Sequence, residues 1–412
     1  MMNYASPTWR TFSAAPHRMM FLAGAAQGVV SIAWWLSELL GRYAGAWLPP
    51  AWSIPATWAH GFLMIYGFFP FFIFGFLMTT YPSWMNGAKV PPRRYVPAFL
   101  LLAGGVPVFY LGLLAGKPWL VAGVAAMLGG WGVALYALFE VLITARHPDK
   151  LHPKITTAAL AAGWLGLLAY LLWLATGNGL FAVFALKAGV WFFLLPIFFT
   201  VCHRMIPFFS SRVLDGYEIV RPKSALGVML ACSYGHGLLE ILGWNAWLWL
   251  FDLPFLAQAL YLSWRWQLRR SFQVRLLAVL HIAFAWLSIA LALYSVQSLL
   301  LLASGGQIAI LAYAPLHALT VGLFASMVLG MASRVTLGHS GGELKADGAT
   351  WALFLGFQAT ALARVGGDLP PAGAAAGYFY LLAAAVWLAC FIPWFAKYAP
   401  MYWRPRSDGQ PG

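Results

Sequence analysis

The chain has 412 residues, of which 62% are hydrophobic and 17% aromatic, and only 9% are charged, against about 25% charged in an ordinary soluble domain. A water-soluble fold of this length has no means of hiding that much apolar surface, so the composition indicates an integral membrane protein. The formal net charge of +14 does not point to nucleic acid, because the basic residues lie between apolar runs and form no polar helical stripe.

In chain order, apolar runs long enough to span a bilayer lie near 19–40, 58–80, 96–115, 118–143, 155–176 and 180–202. Six more lie near 224–243, 246–262, 276–301, 315–333, 350–363 and 374–396. The expected fold is therefore an all-α bundle of about twelve transmembrane helices, a single polytopic domain over residues 1–412. The first run is full length and has no small-residue cleavage site after a short apolar core. It reads as the first span, not a removed leader.

Placing the N-terminus inside tests this count. Only Arg42, Lys117 and Arg364 then fall in outer segments and Lys187 within a span, while every other Lys and Arg falls on the inner side. That bias follows the positive-inside rule and puts both termini in the cytoplasm. The longest inner connections, near 203–223 and 334–349, leave no room for a soluble domain, and the tail 404–412 reads as short, polar and disordered. Cys202, Cys232 and Cys390 all lie in or beside apolar runs without a CxxC pattern, as reduced packing residues would.

Ionisable side chains inside spans are costly and carry a functional expectation by default. Toward the outer face lie Glu38, His60, Lys187, His236, Glu240, Asp252 and His317. His236 and Glu240 are four apart, on one side of the seventh span. Met64 follows His60 by the same spacing and could add a soft ligand. Toward the inner face lie His17, His203, His281, Arg334 and His339. His147 and His152 sit in the basic stretch "ARHPDKLHPK" and receive a structural reading. Lys187 is expected to pair with Glu240, Asp252 or Glu38. Facing helices of a bundle are where metal and haem ligands are built, and neutral imidazole is the commonest metal ligand. His317 and His339 are 22 residues apart, roughly 33 Å along one helix, close to a bilayer's apolar thickness. Gly67 and Gly75, like Gly322 and Gly330, are eight apart and read as close-packing positions.

Three stretches, "HGFLMIYGFFPFFIFGFLMTTYPSWM" (60–85), "RMIPFFSSRVL" (204–214) and "HALTVGLFASMVLGMASRVTLGHSGGEL" (317–344), resemble the signature regions of the NnrS family. "APHRMMFLAG" (15–24) resembles the start of many members. The likeness extends along nearly the whole chain. It implies a bacterial inner-membrane protein of twelve helices, tied to nitric oxide and nitrosative stress and containing haem and copper. Carried over, the implied ligands are His60, His317 and His339, with Arg334 beside the last. The sequence departs from the family pattern where many members read His-Ala-His-Glu-Met, since Phe62 and Leu63 replace the second histidine and the glutamate. Gly342 likewise stands where arginine is usual.

The reading that follows is a haem- or copper-binding membrane protein of the nitric oxide response. Its outer site would use His60, His236 and His317, and its inner site His281, His339 and His17. Arg334 would face a haem propionate or a headgroup phosphate. Neither a catalytic reaction nor an electron donor follows from the residues. The alternative is a twelve-helix secondary transporter using Lys187, Asp252 and Glu240 without a metal.

Overall fold

The computed structural model describes residues 7–408, and every element within them is helical. A short helix, Pro7–Phe12, precedes the bundle. We number the long helices α1 (Pro16–Ala44), α2 (Ala56–Met85), α3 (Pro92–Ala115), α4 (Lys117–Thr144), α5 (Leu151–Thr176) and α6 (Gly179–Val213). They continue as α7 (Lys223–Ile241), α8 (Trp249–Arg265), α9 (Arg275–Ala303), α10 (Ala314–Ser340), α11 (Gly348–Gly366) and α12 (Ala376–Tyr398).

Among the described residues nine helices are long and apolar enough to cross a membrane. The helices α7, α8 and α11 stand at the remaining expected spans but have 19, 17 and 19 residues. At 1.5 Å per residue these reach roughly 25–29 Å, just short of the hydrocarbon core.

Local sequence explains the ends. Pro16 and Pro92 occupy first-turn positions, where a missing N–H costs nothing. Asn178 and Asp347 cap α6 and α11 by accepting from Leu180 N–H and Thr350 N–H at 3.0 and 2.9 Å. Gly177 ends α5 with φ 77°, a conformation that favours glycine. Two helices run further than expected. α6 continues to Val213 and α10 to Ser340, so their following connections shrink to 214–222 and 341–347. Nothing in 203–213 except Pro207 opposes a helix, and the helix absorbs that proline. The start of the tail is anchored, with Ser407 N–H donating to Ser340 O at 2.9 Å. Its last residues, 409–412, lie outside the described residues.

Three helices each contain a π-helical segment: Leu63–Phe68 in α2, Gly189–Leu194 in α6 and Ala318–Ala325 in α10. In α2 and α6 the wide turn immediately precedes Pro70 and Pro196. Proline clashes with the carbonyl four residues back and offers no N–H, so a wider turn relieves it. Pro70 and Pro196 therefore coincide with widened turns and do not interrupt the helices.

Small residues set the tightest approaches. A methyl group on Gly105 (α3) would lie 2.7 Å from Gly123 O in α4. One on Gly322 would lie 2.4 Å from the Trp286 ring in α9, and one on Gly75 2.8 Å from Phe21 in α1. Without water to drive apolar burial inside a bilayer, such close backbone packing is a main source of helix association.

Candidate functional site

The buried polar groups fall into separate clusters, and hydrogen bonding determines which imidazole nitrogen each leaves open.

At the end where α2 and α10 begin, His60 stacks on Trp35 of α1, ring centroids 4.3 Å apart and planes 12° apart. Its Nδ1 is buried and has no hydrogen-bond partner. His317 lies within electrostatic range of His60, and both are within range of Arg364. His317 Nδ1 is 2.9 Å from the Tyr313 carbonyl. A carbonyl only accepts, so Nδ1 carries the proton and Nε2 of the neutral ring presents its lone pair. Asp368 stands 3.9 Å from the same Nδ1 and is itself held by Arg364 at 2.7 Å and the Tyr380 hydroxyl at 2.5 Å. Met64 Sδ accepts from Ser31 Oγ at 3.7 Å, one turn below His60.

At the other end, His17 and His339 meet with ring centroids 4.6 Å apart. Thr79 Oγ1 donates its proton to Gly75 O at 2.7 Å, so it can only accept from His17 Nδ1 at 3.4 Å. His17 Nε2 is again left as the open position. Arg18 beside it donates to the carbonyls of Tyr402 and Arg404 at 3.4 and 2.9 Å, tying the C-terminal segment to α1.

His236, expected beside His60 and His317, sits elsewhere. Its Nδ1 is 2.5 Å from Asp252 Oδ1, and both side chains are fully buried. Trp191, in the π-segment of α6, stacks on it at 3.4 Å, and Tyr294 meets its edge at 4.8 Å. Its Nε2 and Asp252 Oδ2 are buried without partners. Asp252, and not Glu240, therefore orients this imidazole. Lys187 makes none of the expected carboxylate pairs, since its ammonium donates to the backbone carbonyl of Glu240 at 2.6 Å. Glu38 pairs with Arg42 at 2.6 Å and accepts from Trp52 Nε1 at 2.7 Å. His281, expected beside His339, instead faces Ser210 Oγ at 3.4 Å.

Arg334 also departs from expectation. Five residues separate it from His339, about 140° around the helix, and its guanidinium lies 3.8 Å over the Phe209 ring of α6.

Sequence reasoning missed one pair. His152, read as structural, is 3.0 Å through Nε2 from His203 Nδ1, and both residues are buried. His203 Nε2 is 3.2 Å from the Pro222 carbonyl and must donate to it, so His152 donates to His203 and leaves its own Nδ1 open and buried. Nothing in "ARHPDKLHPK" distinguishes His152 from His147, whose Nδ1 bonds only within its own loop.

Among the described residues no three His, Cys, Asp or Glu side chains converge as a metal site. The donors come as single or paired imidazoles with an open nitrogen. That set suits a group needing one or two protein imidazoles, such as haem or Cu(I), and does not suit a closed tetrahedral centre. Compared with protein-family models, the chain matches the one described as NnrS protein over residues 11–406. A comparison with curated proteins gives no match.

Proposed function

The chain belongs to the NnrS family, and on that premise we propose that it is a haem- and copper-binding protein of the bacterial inner membrane, acting in the nitric oxide response. It crosses the bilayer twelve times with both termini in the cytoplasm. α7, α8 and α11 are its short spans, and the cytoplasmic end carries His17 and His339.

The observation that carries this reading is the placement of histidines on α10. His317 at one end shares the surroundings of His60, both near Arg364, and His339 at the other packs against His17. His60 and His317, with Met64 a turn below, would hold one metal group, and His17 with His339 another. Bound haem iron or Cu(I) would supply an open coordination position for a small uncharged gas, which reaches a site inside the bilayer without a polar channel. The chain's own residues orient the donors. The Tyr313 carbonyl holds His317 with Nε2 free, Thr79 does the same for His17, and the Trp35 ring fixes the plane of His60. Asp252 gives His236 the same orientation, making it a third candidate ligand. Phe62 and Leu63 stand where many relatives carry a further histidine and glutamate, so the His60 site of this chain works with fewer protein donors.

The test is metal analysis with an absorption spectrum of the detergent-purified protein, oxidised and reduced, after expression with haem and copper supplied. The expected result is bound metal and a visible band that shifts on adding nitric oxide and is lost in His60→Ala or His317→Ala. Well-folded protein with no metal and a flat visible spectrum would overturn the reading and leave the transporter in its place.

A further inference from the structure

Arg334 is 7% exposed, and among the described residues its guanidinium has neither an ion pair nor a hydrogen-bond acceptor. Its position is unlike that of Arg18, the other buried arginine, which finds two backbone carbonyls. A guanidinium carries five donors and never loses its charge. A largely buried cation lacking its counter-charge is unfavourable in an apolar surrounding, and an anion at the guanidinium would offset that.

The surroundings say what kind of anion. Arg334 continues the α10 stripe Met327–Met331, at spacings of four and three residues, and Phe209 continues the α6 stripe of Phe198, Val201 and Met205. Between these stripes and Phe72 and Phe76 of α2 lies a cavity of about 50 Å³ whose lining is almost wholly apolar. Water is poorly held in such a space, whereas methylene groups fill it. Arg334 itself does not line the cavity but follows its lining residue Met331 by three positions. It stands six residues or roughly 9 Å before the end of α10 at Ser340, the depth at which long basic side chains reach lipid headgroups.

We propose that the groove between α2, α6 and α10 is a specific site for one anionic phospholipid, its phosphate on Arg334 and an acyl chain along the Met327–Met331 stripe. The assignment is independent of the metal reading, and only the choice of leaflet, the cytoplasmic one, rests on the orientation proposed above. Arg334 thereby belongs to a lipid site and not to the His17–His339 pair, from which it points away.

The experiment is native mass spectrometry of the full-length protein transferred from vesicles of phosphatidylglycerol and phosphatidylcholine in equal amounts. The expected result is one retained phosphatidylglycerol per chain, at least tenfold over phosphatidylcholine. Arg334→Gln should lose that preference and Arg334→Lys should keep most of it. The wild-type headgroup comparison needs no variant, so a failure of Arg334→Gln to fold does not blunt the test. Equal retention of both lipids, no retained lipid, or an unchanged preference in folded Arg334→Gln would each overturn the site. So would an altered visible spectrum in Arg334→Gln with lipid retention unchanged, because the anion would then be a carboxylate of a bound cofactor.

Discussion

His236 Nδ1 lies 2.5 Å from Asp252 Oδ1, and neither side chain is exposed at all. The pair joins α7 to α8, two of the three helices that fall outside the nine long and apolar enough to cross a membrane. Asp252→Ala leaves a buried imidazole N–H without an acceptor, and the expected loss is about 2–3 kcal/mol. Asp252→Asn keeps an acceptor oxygen and should lose less. Thermal unfolding in detergent reads both, and an Asp252→Ala protein as stable as wild type would remove this pair from any account of the fold.

Neighbouring glycines in α3 should behave oppositely. A methyl group on Gly105 would meet Met127 Cγ at 2.6 Å and Gly123 O at 2.7 Å, whereas one on Gly104 meets nothing within 4 Å. Gly105→Ala is expected to cost about 1–3 kcal/mol through forced separation of α3 and α4. Gly104→Ala should be neutral or stabilise by up to about 1 kcal/mol through helix propensity. Similar melting temperatures for the two variants would contradict the packing.

The capping carboxylate of α11 sets a pH dependence outside the spans. The Lys397 ammonium, 2.6 Å away, and the Thr350 N–H hold the Asp347 carboxyl down to about 2. With the folded value depressed, the contribution is present above the unfolded value of about 4 and lost as pH falls through about 2. Asp347 is 59% exposed, so solvent screening keeps the effect small. A carboxyl-carbon NMR titration of labelled aspartate should find this group still ionised at pH 3. In Lys397→Met its midpoint should rise toward 4.

Arg18 ties the C-terminal segment to α1 through the carbonyls of Tyr402 and Arg404. Removing it in Arg18→Ala should expose the segment after Tyr402. Trypsin cleavage after Arg406 should then quicken several-fold in limited digestion, while cleavage in the 145–150 connection stays at the wild-type rate. Unchanged kinetics at Arg406 would show that Arg18 is not what holds the segment, leaving contacts such as Ser407–Ser340 and Tyr402–Thr336.

Twelve spans with a cytoplasmic N-terminus make a definite labelling pattern. Cys202, Cys232 and Cys390 are buried, so introduced cysteines read against a low background. A membrane-impermeant maleimide on intact cells should label Asn245→Cys and Gln307→Cys and spare Asp215→Cys. Protection of Asn245→Cys with labelling of Gln307→Cys would mean that α7 and α8 do not cross.

Much of the architecture was legible in the chain because a helix in lipid must satisfy its own backbone, so apolar length alone announces it. All twelve expected segments correspond to helices, and nine meet the length and apolarity of a span. Helices α6 and α10 continue past their apolar runs, because hydropathy falls at His203 and Arg334 while helical geometry persists beyond both. The π-segments were not legible. A proline marks strain at Pro70 and Pro196, but only the folded backbone shows that a widened turn absorbs it.

For the candidate site, composition, the family-like stretches and the spacing of His317 and His339 determined that imidazoles stand at both ends of one helix. The tertiary structure alone decided their company. It sent His236 to Asp252 and His281 to Ser210, paired His152 with His203, and turned Arg334 onto Phe209 away from His339. The physical reason is rotational. Sequence sets the depth of a side chain along its helix through a constant rise per residue. The direction it faces depends on how helices dock, and that is settled by contacts such as Gly322 against Trp286 and Gly105 against Gly123, between residues far apart in the chain or on separate helices.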